Sequence, residues 1–104
     1  FRNLNLWLSC AVITDIYDTG SGKIELLKAI AEDSPITKFL SKRGQGVHHV
    51  AFLVDDLQLA LAELAEAGVE LIDSKPRVGA EEMLIAFLHP KSTSGVLVEL
   101  CQKP

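Results

Sequence analysis

Cysteine is scarce: the 104 residues hold only Cys10 and Cys101, too few for a disulfide framework. Both lie in apolar stretches, which fits buried free thiols and a reducing, cytosol-like compartment. Basic residues are the minority, 10 Lys and Arg against 14 Asp and Glu, for a net charge of −4. No basic stripe marks a nucleic-acid surface. No run approaches the ~18 apolar residues of a membrane helix, and no basic, apolar, small-residue signal peptide opens the chain. The first residue is Phe1, not Met, so a processed or truncated N-terminus is expected. Histidine is absent before residue 48; the three present are His48, His49 and His89.

What the chain does have is apolar content. Hydrophobic residues make up 48%, which speaks for a folded chain. Its length allows one domain with a modest core. Basic residues cluster locally at Lys42-Arg43 and Lys75-x-Arg77, with Lys91 further on. These are either solvated loops or a local patch for an anionic ligand inside an acidic protein.

Residues 4–17 are rich in Leu, Ile, Val and aromatics and read as one long strand or two short ones. Asp18-Thr19-Gly20-Ser21-Gly22 is a turn, and Lys23–Leu27 a following strand. Ser34-Pro35 starts a helix, with Ser at the N-cap and Pro at the first helical position, running to about Lys42. Val47–Val54 reads as a strand. Asp55, with Gln58 three residues on, then caps a helix carrying Leu57, Ala60, Leu61 and Leu64 at helical spacing, and Gly68 closes it. Short strands are expected at Val69–Ile72, Leu84–Leu88 and Val96–Leu100. Loops containing Pro76-Arg77-Val78-Gly79 and His89-Pro90-Lys91-Ser92 separate them. Residues 47–104 thus read β-α-β-β-β. Residues 1–46 resemble the end of a similar unit that lacks its leading strand and helix.

Strand alternation sorts the chemistry. In Val47–Val54, His48, Val50, Phe52 and Val54 share one bulky face, suited to packing under a helix. His49, Ala51 and Leu53 share the other, where a small neighbour leaves room for a ligand. Glu99 lies with Leu97 on one face of its strand. Glu25 lies between Lys23 and Leu27 on one face of its own. Three strands therefore each place one ligand-type side chain mid-face: His49, Glu99 and Glu25. Imidazole with carboxylates suits a borderline divalent ion such as Co, Zn, Fe, Ni or Mn. A lone Glu in a strand is usually just solvent-facing, and spacing alone favours that reading for each of the two.

Gly46-Val-His-His-Val-Ala-Phe-Leu-Val-Asp-Asp56 resembles the GxHHxAFxVDD strand of methylmalonyl-CoA epimerases. Ile85-Ala-Phe-Leu-His-Pro-Lys-Ser92, running into Gly95-Val-Leu-Val-Glu-Leu-Cys101, resembles their FLHPKS…GVLxEL ending. Ala67–Asp73, Lys75-Pro-Arg77, Lys23–Leu27 and Asp33–Leu40 resemble the stretches between. The resemblance covers about residues 20–102. It implies an α+β, glyoxalase-like vicinal oxygen chelate fold. Residues 1–46 would be a truncated first module with its linker helix, and residues 47–104 a complete βαβββ module. Such a cup holds one divalent metal, and the resemblance implies His49, Glu25 and Glu99 as its ligands. It also implies Glu99 as part of the acid/base machinery and Lys91 and Ser92 as substrate contacts. The implied reaction is metal-assisted 1,1-proton transfer alpha to an acyl-CoA thioester.

The departures lie in the first half. The family's fourth ligand is a His on the first strand of module one, and no His precedes residue 48. Residues 1–22 hold no Glu, only Asp15 and Asp18. The family's glycine-rich stretch before the IAFLHP motif is here Glu81-Glu82-Met83. Two functional readings follow: an epimerase, or a non-catalytic small-molecule-binding member of the glyoxalase/bleomycin resistance superfamily that has lost part of the metal site. A missing first strand would expose a sheet edge, so a homodimer is expected, with strand exchange between copies as one way to complete each cup. The expected setting is the cytoplasm, or an organelle matrix in a eukaryote, with no membrane or nucleic-acid partner.

Overall fold

A computed structural model describes the backbone of residues 2–9 and 11–104, and the side chains from residue 11 onward. The chain separates into two compact units, Phe1–Gly46 and Val47–Pro104. The expectation of a buried thiol at Cys10 falls outside the described residues. The Cys101 thiol is buried. Among the described residues no helix is long and apolar enough to cross a membrane.

In the first unit, β1 (Arg2–Ser9), β2 (Val12–Asp18) and β3 (Lys23–Ala29) form an antiparallel sheet in that order. The apolar stretch expected at 4–17 is therefore two strands. The second turn closes as its sequence demands: Gly20 takes φ 94, and its N–H donates to the Asp18 carboxylate at 2.8 Å. β3 runs two residues past Leu27, because its ladder with β2 continues to the Val12–Ala29 pair. Helix α1 (Pro35–Arg43) begins as read. The buried Ser34 hydroxyl accepts the Ile36 N–H at 3.2 Å, and Gly44, at φ 70, closes the other end.

The second unit holds β4 (Val50–Leu53), α2 (Leu57–Glu66), β5 (Arg77–Val78), β6 (Leu84–Leu88) and β7 (Val98–Gln102), with sheet order β4-β7-β6-β5. Its core forms where α2 covers one sheet face. Leu57 and Leu61, one helical turn apart, are at 0% and 2% exposure and pack with Ala86, Leu88 and Leu100. Burying such side chains contributes about 1.5–3 kcal/mol each.

Several sequence expectations are corrected here. β4 starts at Val50, not Val47, because its parallel partner begins only at Val98 and residues 47–49 have no ladder to join. Of the face expected to pack under the helix, Val54 joins the core but Phe52 is 58% exposed. The helix cap is Asp56, not Asp55: its carboxylate accepts the Leu59 N–H at 3.0 Å. Val54 still donates to the Cys101 carbonyl, so Asp55 is spent turning the chain away from the sheet. β7 runs from Val98 to Gln102 rather than from Val96 to Leu100. The turn at 90–96 takes up Val96, whose N–H donates to the Thr93 carbonyl, while Gln102 still pairs with Leu84.

Residues 69–72 form only the isolated bridge Leu71–Leu88, and the expected loop at Pro76–Gly79 contains β5. Between them Asp73 takes over from the ladder, its side chain accepting the Phe87 N–H at 2.8 Å. Gly79 belongs to this close packing, since a Cβ there would stand 2.7 Å from Ile85 Cδ1.

Where the resembled family has glycines, Glu81 and Glu82 take φ 58 and 59. The loop keeps a left-handed backbone without the residue that favours it. Glu82→Gly should therefore raise the unfolding free energy by about 1 kcal/mol. An unchanged or lower urea midpoint would show that the Glu82 side chain compensates for the strained backbone.

Candidate functional site

The sheet face away from α2 collects the polar chemistry of the second unit. Alternation along β7 sends Val98, Leu100 and Gln102 toward α2, and Glu99 and Cys101 the other way. Gln102 secures the helix itself, its side-chain oxygen accepting the Leu57 N–H at 2.8 Å. The register pairs Ala51 and Phe87 with Glu99, so the small Ala51 flanks the carboxylate on one side and the Phe87 ring on the other. His49, one residue before β4 and two before Ala51, falls on this same face.

His49 Nε2 lies 3.5 Å from Glu99 Oε1, and both side chains are only 14% exposed. The second Glu99 oxygen, Oε2, accepts the Cys101 thiol at 2.7 Å. The His49 ring stands edge-on to Phe87 with centroids 5.5 Å apart. Its other nitrogen, Nδ1, is 2.9 Å from His48 Nδ1, so one of the two must carry the hydrogen between them. When His49 donates, its Nε2 presents a lone pair to Glu99. Two lone-pair atoms at that spacing need a cation between them, a proton or a metal ion.

The pair fits a metal. Imidazole and carboxylate are apt donors for a borderline divalent cation. Among the described residues no group of three or more His, Cys, Asp or Glu side chains is gathered to hold one. Glu25 sits exposed on β3, paired in register with Ile16, in the other unit.

Of the remaining residues named from sequence, Ser92 and Lys91 lie in the 3₁₀ turn Pro90–Ser92. The Ser92 hydroxyl oxygen accepts the Glu70 N–H at 2.8 Å, which leaves its own hydrogen to donate elsewhere. Lys91 is exposed; its backbone N–H donates to His89 Nδ1 at 3.0 Å, which accounts for His89 as the cap of the turn.

Sequence reasoning missed two participants, Cys101 and Asp73. Cys101 was identifiable, since it stands two residues after Glu99 on the same strand and must share its face. Asp73 carries no such signal, and Arg77 was legible only as part of the Lys75-x-Arg77 basic cluster. Asp73 Oδ1 accepts Arg77 Nε at 3.2 Å, and the guanidinium lies over the Phe87 ring at 5.5 Å.

A sequence profile described as Glyoxalase/Bleomycin resistance protein/Dioxygenase superfamily matches residues 7–87. The uncharacterized protein YqjC of Bacillus subtilis is 49% identical over 86 residues, 83% of this chain and 61% of that protein. The mitochondrial methylmalonyl-CoA epimerase of Dictyostelium discoideum is 46% identical over 82 residues, 78% of this chain and 49% of that protein. The chain thus spans between about half and three-fifths of these relatives. Among solved structures, a Streptomyces coelicolor methylmalonyl-CoA epimerase variant in complex with 2-nitronate-propionyl-CoA superposes with a TM-score of 0.89 at 34% identity, covering 99% of this chain and 77% of that one.

Burial, and after it the neighbouring His49, hold the His48 imidazole below its ordinary 6.5. The fold therefore favours the neutral ring, and the stability it contributes is lost as pH falls from 6.5 through the lowered value. In chelator-treated protein the His48 ring protons should titrate by NMR with a midpoint below 6.5. A midpoint at or above it would mean that His48 is more open to water than this geometry has it.

Proposed function

Because the chain belongs to the Glyoxalase/Bleomycin resistance protein/Dioxygenase superfamily, in its methylmalonyl-CoA epimerase branch, we propose that it epimerises a short branched acyl-CoA by 1,1-proton transfer at the carbon between thioester and carboxylate. The observation that carries this reading is the His49–Glu99 pair at 3.5 Å on the sheet face away from α2.

The proposed roles follow from the atoms available. His49 Nε2 and Glu99 Oε1 would hold a divalent ion such as Co, Zn, Ni or Mn. When bound, such an ion supplies Lewis acidity toward thioester and carboxylate oxygens. Glu99 also belongs to the acid/base apparatus. A carboxylate takes the proton from C2, and the C–H electron pair passes into the thioester as an enolate. A proton delivered to the opposite face of C2 completes the inversion. Cys101 limits how the Glu99 carboxylate can rotate, since its thiol occupies Oε2. Phe87 flanks the pair on one side, edge-on to the His49 ring. Ser92, with its hydroxyl hydrogen left to donate, and the exposed Lys91 would meet the ligand's carboxylate or phosphates.

The proposed assembly is a homodimer, in the cytoplasm or, in a eukaryote, an organelle matrix. Exposed apolar residues on and beside β4, namely Val47 at 77%, Phe52 at 58% and Leu53 at 59%, support a surface that a second copy covers.

The test is solvent deuterium incorporation at C2 of methylmalonyl-CoA, with cobalt-loaded and chelator-treated protein side by side. Exchange should depend on the metal, and Glu99→Gln should slow it by about 10²–10⁴-fold. No exchange in folded, cobalt-loaded protein would leave the non-catalytic binding reading in its place.

A further inference from the structure

The proposed chemistry uses His49 and Glu99 but leaves unexplained a cation on the same face. Arg77 pairs in register with Ile85 on β6, two residues before Phe87, so Arg77, Phe87 and Glu99 all project from the sheet face away from α2. The Phe87 ring is flanked twice: the His49 ring stands 5.5 Å from its centroid, and Arg77 Cζ also lies at 5.5 Å. One aromatic ring thus separates the guanidinium from the metal-type pair.

The arginine is anchored. Asp73 Oδ1 accepts Arg77 Nε at 3.2 Å, while Asp73 Oδ2 accepts the Phe87 backbone N–H at 2.8 Å. One carboxylate therefore pins the guanidinium to the strand that carries the ring. An ordinary surface ion pair loses most of its value to side-chain freedom. Here Asp73 is 18% exposed and the ring restrains the cation from a second side, so much of that freedom is already gone. Arg77 itself stays 49% exposed. Only its Nε is engaged among the described residues, which leaves the paired Nη donors to address an anion. A planar fork suits carboxylate or phosphate oxygens, which accept two parallel hydrogen bonds. In a chain of net charge −4, a cation held in this way beside the proposed site is a local exception.

We propose that Arg77, held by Asp73 and Phe87, binds the anionic oxygens of the acyl-CoA ligand and sets the preference for charged thioesters. This rests on the acyl-CoA reading of the site. The anion is either the acyl carboxylate or a phosphate of the CoA moiety, and both present the same oxygen geometry to the fork.

Equilibrium binding decides it without requiring turnover. Methylmalonyl-CoA and methylmalonyl-pantetheine, which lacks the nucleotide phosphates, are titrated into cobalt-loaded wild type, Arg77→Ala and Arg77→Gln, with far-UV circular dichroism confirming the fold. Arg77→Ala should weaken methylmalonyl-CoA binding at least ten-fold. Arg77→Gln preserves side-chain bulk without the charge, and should weaken it comparably. If the fork reads the acyl carboxylate, the pantetheine thioester loses affinity to the same degree; if it reads a phosphate, that ligand is indifferent to the substitution. Wild-type affinity in folded Arg77→Gln would overturn the inference while leaving the epimerase reading intact. Failure of the wild type itself to bind methylmalonyl-CoA would overturn both. Binding that responds to Arg77 without deuterium exchange would retain the inference and remove the epimerase.

Discussion

The parallel pairing of β4 with β7 is what the candidate site depends on. It joins residues nearly fifty positions apart and fixes Ala51 beside Glu99. Two residues upstream of Ala51, His49 then lies within 3.5 Å of the Glu99 carboxylate. A slip of one residue would turn His49 to the other face and separate the pair. What prevents the slip is on the opposite side of the sheet. Leu57 and Leu61 of α2 are buried on Ala86, Leu88 and Leu100, and Gln102 binds the first turn of the helix. A single strand, β7, thereby serves the core with alternate residues and the site with those between.

The site face is assembled from small constraints rather than from one strong interaction. Each Glu99 oxygen has a different neighbour, His49 on one side and Cys101 on the other. The Phe87 ring separates His49 from Arg77. Asp73 substitutes for a missing strand residue and orients the arginine in the same act. The neighbouring loop carries Glu81 and Glu82 in left-handed backbone, so local strain and an acidic pair lie next to the residues that build the face. Stability and site geometry are thus separated by sheet side, with α2 and its core supplying the first.

Much of this was legible in the sequence because alternation is a strong rule. Leu84–Leu88 reads correctly end to end, and the Ser34-Pro35 start and the left-handed Gly68 are where capping chemistry puts them. His49 and Glu99 were placed by alternation and by family resemblance, and the register brings them together. The errors arise where a partner, not local propensity, sets the boundary. β4 is shorter than its apolar run because β7 starts late. The helix cap moves from Asp55 to Asp56 because Val54 remains tied to Cys101. The Asp73–Arg77–Phe87 arrangement has no local pattern, since it forms where a bridge at Leu71 and a two-residue strand at Arg77 share one neighbour.

The proposed chemistry requires His49 and Glu99 to share one cation. Calorimetric titration of cobalt into chelator-treated wild type, His49→Ala, Glu99→Gln and the double variant tests it most directly. A shared ion predicts one cobalt per wild-type chain, a loss of about a hundred-fold or more in each single variant, and a double variant no weaker than the worse single, because residues on one ion are not additive. Wild-type affinity in either single variant, or losses that simply add, would contradict it.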